Sequence, residues 1–130
     1  DTTPWSFGPQ ASVVIVNLGT NDINPGDPGT AYETAYVSFL QDVRSRYPDA
    51  WIFATIGSML GGSELDTINA HLANVVAALG DDRVVTFDLG TQEMGSNGEI
   101  PTGCDWHPNV ADNARMAEIV KARLQTHLGW

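Results

Sequence analysis

The chain has 130 residues, 42% of them hydrophobic, with 13 glycines and 7 prolines, which fits one α/β domain with a modest core. Sixteen carboxylates against six lysines and arginines give a formal net charge of -10, which argues against a nucleic-acid or anionic-membrane partner. No apolar run approaches the roughly 18 residues of a membrane span. The chain opens at Asp1 with neither an initiator Met nor a charged-then-apolar leader, so we expect it to be processed or cut from something longer. Cys104 is the only cysteine, so no internal disulfide forms. Its thiol is either a small buried group or the partner of a cysteine on another segment.

Three β-then-α units follow one another over residues 1–130, with no repeat, linker or low-complexity tract. Ser12 to Leu18, built on the apolar run Val13-Val14-Ile15-Val16, reads as a buried strand. Gly19-Thr20-Asn21-Asp22 follows it at once, and Pro25, Gly26, Pro28 and Gly29 hold the next stretch as loop. From Thr30 apolar residues recur at three- and four-residue steps (Tyr32, Tyr36, Phe39, Leu40, Val43, Tyr47), predicting a helix that Pro48 stops.

Trp51 to Ile56 predicts the second strand. Beyond Gly61-Gly62, Ser63 and Asp66 resemble a capping box with the shorter acid. Leu65, Ile68, Leu72, Val75 and Leu79 then form one stripe closed by Gly80. Arg83 to Asp88 predicts the third strand. The connection from Gly90 to Pro108 is longer than usual, which points to function. Asn109 is placed to cap a last helix with the face Val110, Met116, Ile119, Val120 and Leu124.

Strands separated by helices imply a parallel sheet with helices on both faces, a flavodoxin-like three-layer sandwich. Three strands are few for such a sheet. The first is the most apolar and suits a central position, so this chain reads as the second half of a larger sheet.

Ligands in open α/β sheets sit at the carboxyl ends of the strands. Asn21 lies there, and its carboxamide can donate to a developing oxyanion; a strand-ending turn bonding its own backbone is the alternative. His107 lies in a loop beside an acid and suits a general base, or else it is an exposed or helix-capping side chain. His71 and His127 read as structural. Asp22, Asn24, Asp27 and Glu33 do not have the order of a calcium loop, and no zinc or dinucleotide pattern occurs, so no metal or cofactor is expected.

Gly19-Thr20-Asn21-Asp22 resembles the third conserved block of SGNH (GDSL-type) esterases, and Asp105-Trp106-His107-Pro108 resembles their fifth. Residues Trp5 to Ser12, the turn Gly57-Ser58-Met59-Leu60 and Gly103 to Asn109 extend the likeness over nearly the whole chain. It is strongest to carbohydrate esterase family 2, which removes acetyl groups from plant polysaccharides.

The resemblance implies a secreted serine esterase without cofactor, acting on a polysaccharide or small acyl-ester substrate. Asn21 would supply an oxyanion-hole donor and His107 the base. Trp106, with Asp22, would bind substrate, the indole offering a face to a sugar ring or else only packing the loop.

Two departures stand out. Most of the superfamily carries its acid three residues before the histidine, where this chain has Cys104. We take Asp105, two residues before, as the orienting acid; a backbone carbonyl holding the imidazole is the alternative. The nucleophile block Gly-Asp-Ser is absent, so the serine would come from an amino-terminal fragment of the same enzyme. Ser58 and Ser63 are the loop serines left to weigh. A rival class is a non-catalytic carbohydrate-binding module on a vestigial SGNH fold, with Trp106 and either Trp5 or Trp51 stacking sugars.

Overall fold

The computed structural model describes residues 6–92 and 102–129. Trp5 and residues 93–101 of the long connection lie outside the described residues. The first apolar run forms strand β1 (Val13–Asn17), the second forms β2 (Trp51–Ile56) and the third forms β3 (Val84–Asp88). Between them run helices α1 (Gly29–Arg46) and α2 (Gly62–Leu79), and α3 (Val110–Leu128) follows β3. The strands pair in parallel in the order β1-β2-β3, with Ile15 level with Phe53, and Phe53 level with Val85.

Alternation along β2 builds two cores. Ile52, Ala54 and Ile56 face α1 and α2, meeting Tyr32, Tyr36, Leu40, Leu65, Ile68, Leu72 and Val75. Phe53 points the other way, joining Phe87 and Leu89 beneath Met116, Ile119, Val120 and Leu124 of α3. The result is helices, sheet, helix: the three layers expected. Each large side chain so buried contributes roughly 1.5–3 kcal/mol against exposure to water. His127 packs on Trp51 at 4.8 Å and His71 sits between α1 and α2, so both are structural.

Arg44 locks the α1–β2 turn. Its Nη1 donates to the carbonyls of Tyr47, Pro48 and Ala50, and its Nε lies 2.8 Å from Asp81 Oδ2. Those carbonyls follow a helix end, where no intrahelical donor reaches them.

Among the described residues β1 pairs only with β2, which leaves its other edge open, as expected for part of a larger sheet. Ile15 (45%) and Leu18 (52%) are exposed on its two sides, with Phe39 of α1 beside Leu18. The box at Ser63 does not form: α2 starts one residue earlier from an extended Gly61, with no side-chain cap. Gly62, at φ 54°, makes that entry. Val110 is 87% exposed, because the first helical residue of α3 turns outward. Cys104 is an exposed free thiol rather than a buried one. The caps at Gly80 (φ 59°) and Asn109 form as predicted, the latter accepting from Asp112 N at 2.9 Å.

Candidate active site

The loops leaving the carboxyl ends of β1 and β2 meet the start of α3 around a cleft of about 500 Å³. Asn17 to Asp22 form one wall, Gly57 to Met59 a second, and His107, Pro108, Asn113 and Met116 a third. Asn21, Asp22 and His107, far apart in sequence, thus share one cavity.

The first wall depends on Gly19, whose φ of 130° is open only to glycine. A Cβ there would also come within 2.9 Å of Tyr32 Oη and 3.2 Å of Ile56 and Ile68. The chain then winds back on itself, with Asp22 N and Ile23 N both donating to Gly19 O, which leaves Asn21 exposed at the tip. Asp22 stands between the cleft and a smaller apolar groove of about 210 Å³ formed with Leu18, Tyr32, Tyr36 and Phe39. Burial raises the phenols of Tyr32 and Tyr36 far above their ordinary range, and the Asp22 carboxylate adds to this, so both stay neutral.

The third wall is a tight turn. A short 3₁₀ segment (Cys104–Trp106) places Asp105 at φ 57° and Trp106 at φ 65°, two successive left-handed residues without a glycine. Gly103 N donates to His107 O at 2.8 Å and His107 N donates to Cys104 O at 3.1 Å. The Cys104 carbonyl also lies 3.2 Å from His107 Nδ1. A carbonyl only accepts, so Nδ1 carries a proton, and in the neutral ring the lone pair is on Nε2. The backbone carbonyl, not the Asp105 carboxylate, occupies the orienting position. The left-handed turn at Asp105 breaks the extended geometry in which residues two apart share a face. Trp106 is 63% exposed next to His107.

The two serines stand apart from this geometry. Ser58 lines the cleft but is fully buried, its carbonyl accepting from Gln92 N at 2.7 Å. Ser63 opens onto a separate cavity with Asn24, Asp27, Glu64 and Thr67. Trp51 stacks on Phe53 and His127 inside the α3 layer, which removes it as a sugar platform.

Asp27 and Glu33 converge not on a cation but on His71, whose two ring nitrogens lie 2.8 and 2.7 Å from them. The bond to Glu33 raises the His71 pKa, burial opposes that, and the bond to Asp27 adds to the rise. Asn74 and then His71 lower Glu33, while His71 and then the Gly29 N–H lower Asp27. Among the described residues no three His, Cys, Asp or Glu side chains gather as a metal site. None of the described helices is long and apolar enough to cross a membrane.

Sequence reasoning passed over Gln92. Its side-chain Nε2 donates to the Trp106 carbonyl at 3.1 Å while its main chain is bonded to Ser58. Only the length of its loop hinted at a role.

Comparison with known proteins identifies relatives of the whole chain. The chain is 38% identical over 130 residues to the cellulase/esterase CelE of Acetivibrio thermocellus, covering 97% of this chain and 16% of that protein. It is 27% identical over 122 residues to an acetylxylan esterase / glucomannan deacetylase of Cellvibrio japonicus, covering 93% of this chain and 32% of that protein. A family two carbohydrate esterase from Clostridium thermocellum, solved in complex with cellohexaose, superposes with a TM-score of 0.87 at 36% identity. That match covers 99% of this chain and 40% of the other. The chain therefore spans less than half the length of each of these relatives. Residues 4–115 match the model of the GDSL-like lipase/acylhydrolase family, and the chain belongs to that family.

Proposed function

We propose that this chain is the carboxyl-terminal part of a secreted serine esterase that removes small acyl groups, chiefly acetyl, from plant polysaccharides. The observation that carries the reading is the meeting of Asn21 and His107 in one cleft. The nucleophilic serine comes from an amino-terminal segment of the same enzyme. That segment lies along the free edge of β1, where Ile15, Leu18 and Phe39 are exposed. Residues 1–130 are then part of one SGNH domain.

In the reaction, His107 Nε2 takes the serine proton as the hydroxyl oxygen bonds to the acyl carbonyl carbon. Negative charge gathers on the carbonyl oxygen, where the Asn21 carboxamide donates to it. The C–O bond to the sugar breaks as His107 returns the proton to the leaving hydroxyl. Water, deprotonated by the same imidazole, then releases the acid. The Cys104 carbonyl holds the ring through both steps, with Asp105 an exposed neighbour. Trp106 and Asp22 flank the approach and bind the sugar. Similarity to an acetylxylan esterase / glucomannan deacetylase supports an acetylated polysaccharide as the substrate class.

A fluorophosphonate probe applied to the full-length protein tests the reading. Covalent labelling of one serine, lost on His107→Ala, is the expected result. Saccharide binding without labelling would overturn it in favour of a carbohydrate-binding module, for which the exposed Trp106 is the supporting observation.

A further inference from the structure

Gln92 is bonded to two walls of the cleft at once. Its main-chain N–H donates to Ser58 O at 2.7 Å, tying it to the wall made by Gly57, Ser58 and Met59. Its carboxamide donates to Trp106 O at 3.1 Å, on the residue before His107. The carboxamide oxygen is buried and finds no partner among the described residues, so the reversed amide would lose the one bond it makes.

The segment carrying Gln92 is fixed from two further directions. Thr91 Oγ1 donates to Leu60 O at 3.1 Å. Arg115 of α3 donates from Nη1 to Leu89 O at 2.7 Å and from Nη2 to Thr91 O at 3.1 Å. Gly90 admits that guanidinium: a Cβ there would stand 2.8 Å from Nη1. Gln92 is thus a rigid post and not a loose loop side chain.

The post meets the turn at its most strained point. Trp106 holds a left-handed conformation that is costly for a non-glycine residue and persists only where surrounding contacts enforce it. Inside the turn, the bonds among Gly103, Cys104 and His107 close it on itself. Among the described residues the side-chain bond into its backbone from another element is the one from Gln92. We propose that Gln92 is a positioning residue for His107: it sets the turn against the second wall and so fixes where the imidazole stands relative to the oxyanion site. This rests on His107 being the base.

The test uses full-length enzyme, an aryl acetate substrate, and fluorophosphonate titration of competent sites. Gln92→Met keeps the stem and removes the donor. The expected result is a fall in kcat per titrated site of about 10- to 100-fold with KM within about twofold, as a misplaced catalytic group predicts. Gln92→Ala serves if the methionine variant does not fold, and the same split is expected. A merely structural role lowers the number of titrated sites without changing turnover per site, and that result overturns the proposal. A rise in KM that accounts for the whole loss overturns it too. His107→Ala separates the layers. Full activity there removes the base assignment and the Gln92 role with it. Loss of activity there, beside unchanged turnover in Gln92→Met, removes the Gln92 role alone.

Discussion

His107 Nδ1 lies 3.2 Å from the carbonyl oxygen of Cys104, three residues earlier in the same turn. A carbonyl fixes the tautomer without placing a second charge beside the ring, so the base proposed above needs no orienting acid. Asp105→Asn keeps the side-chain size and suits the left-handed backbone. Its kcat is expected to stay within about tenfold of the parent, far from the roughly 10⁴-fold loss seen where an acid holds the histidine of a triad. Steady-state kinetics on an acetyl ester decide this, and a loss of triad size would put Asp105 back in the mechanism.

Asn21→Ala removes the donor that the proposed mechanism aims at charge present only in the transition state. The expected loss is about 10²–10³-fold in kcat, with KM little changed. Equal turnover in wild type and variant would take Asn21 out of the reaction. The measurement uses the full-length protein, to whose amino-terminal segment the proposed mechanism assigns the serine.

Trp106→Ala tests the proposed sugar contact separately from chemistry. The indole is exposed and its main chain, not its ring, holds the turn. KM for an acetylated polysaccharide is expected to rise about tenfold, in line with about 1–3 kcal/mol for one lost stacking contact, while KM for a small aryl acetate stays put. A parallel rise with both substrates would mean that the substitution had deformed the turn.

The His71 clamp predicts a pH-dependent stability. Its raised pKa means that the protonated ring adds stability fully below its unfolded value of 6.5, and that this is lost as pH climbs through the higher folded value. The lowered carboxyls of Asp27 and Glu33 add stability above their ordinary 3.8 and 4.5, lost as pH falls through the folded values. The clamp is therefore complete between 4.5 and 6.5. His71→Gln should show its largest drop in Tm there and a smaller one toward pH 9. A drop independent of pH would mean that packing against Tyr32, 5.8 Å away, accounts for the residue.

Regular elements were legible because apolar spacing reports burial directly. The runs at Val13–Asn17, Trp51–Ile56 and Val84–Asp88 and the stripe of α2 all appear where they were expected. The α/β class followed from their alternation, whereas the parts proposed for Asn21 and His107 came from the likeness of their short motifs to a known family. The turn at Asp105 was not legible, because one residue at positive φ reverses where a side chain points and composition does not signal that. The Ser63 cap gave way to Gly61-Gly62, a local competition that pattern alone does not resolve. Gln92 is polar, unremarkable in its neighbours, and acquires its partners Ser58 and Trp106 only through folding.

The left-handed pair Asp105-Trp106 sets heat tolerance against the sugar contact proposed for the indole. Glycine at either position would relieve the backbone, and directed evolution for thermal endurance alone would move toward it. At 105 that change removes only an outward carboxylate. At 106 it would discard an exposed aromatic surface, so a hardier lineage that still keeps tryptophan there would be marking that surface as one the protein uses.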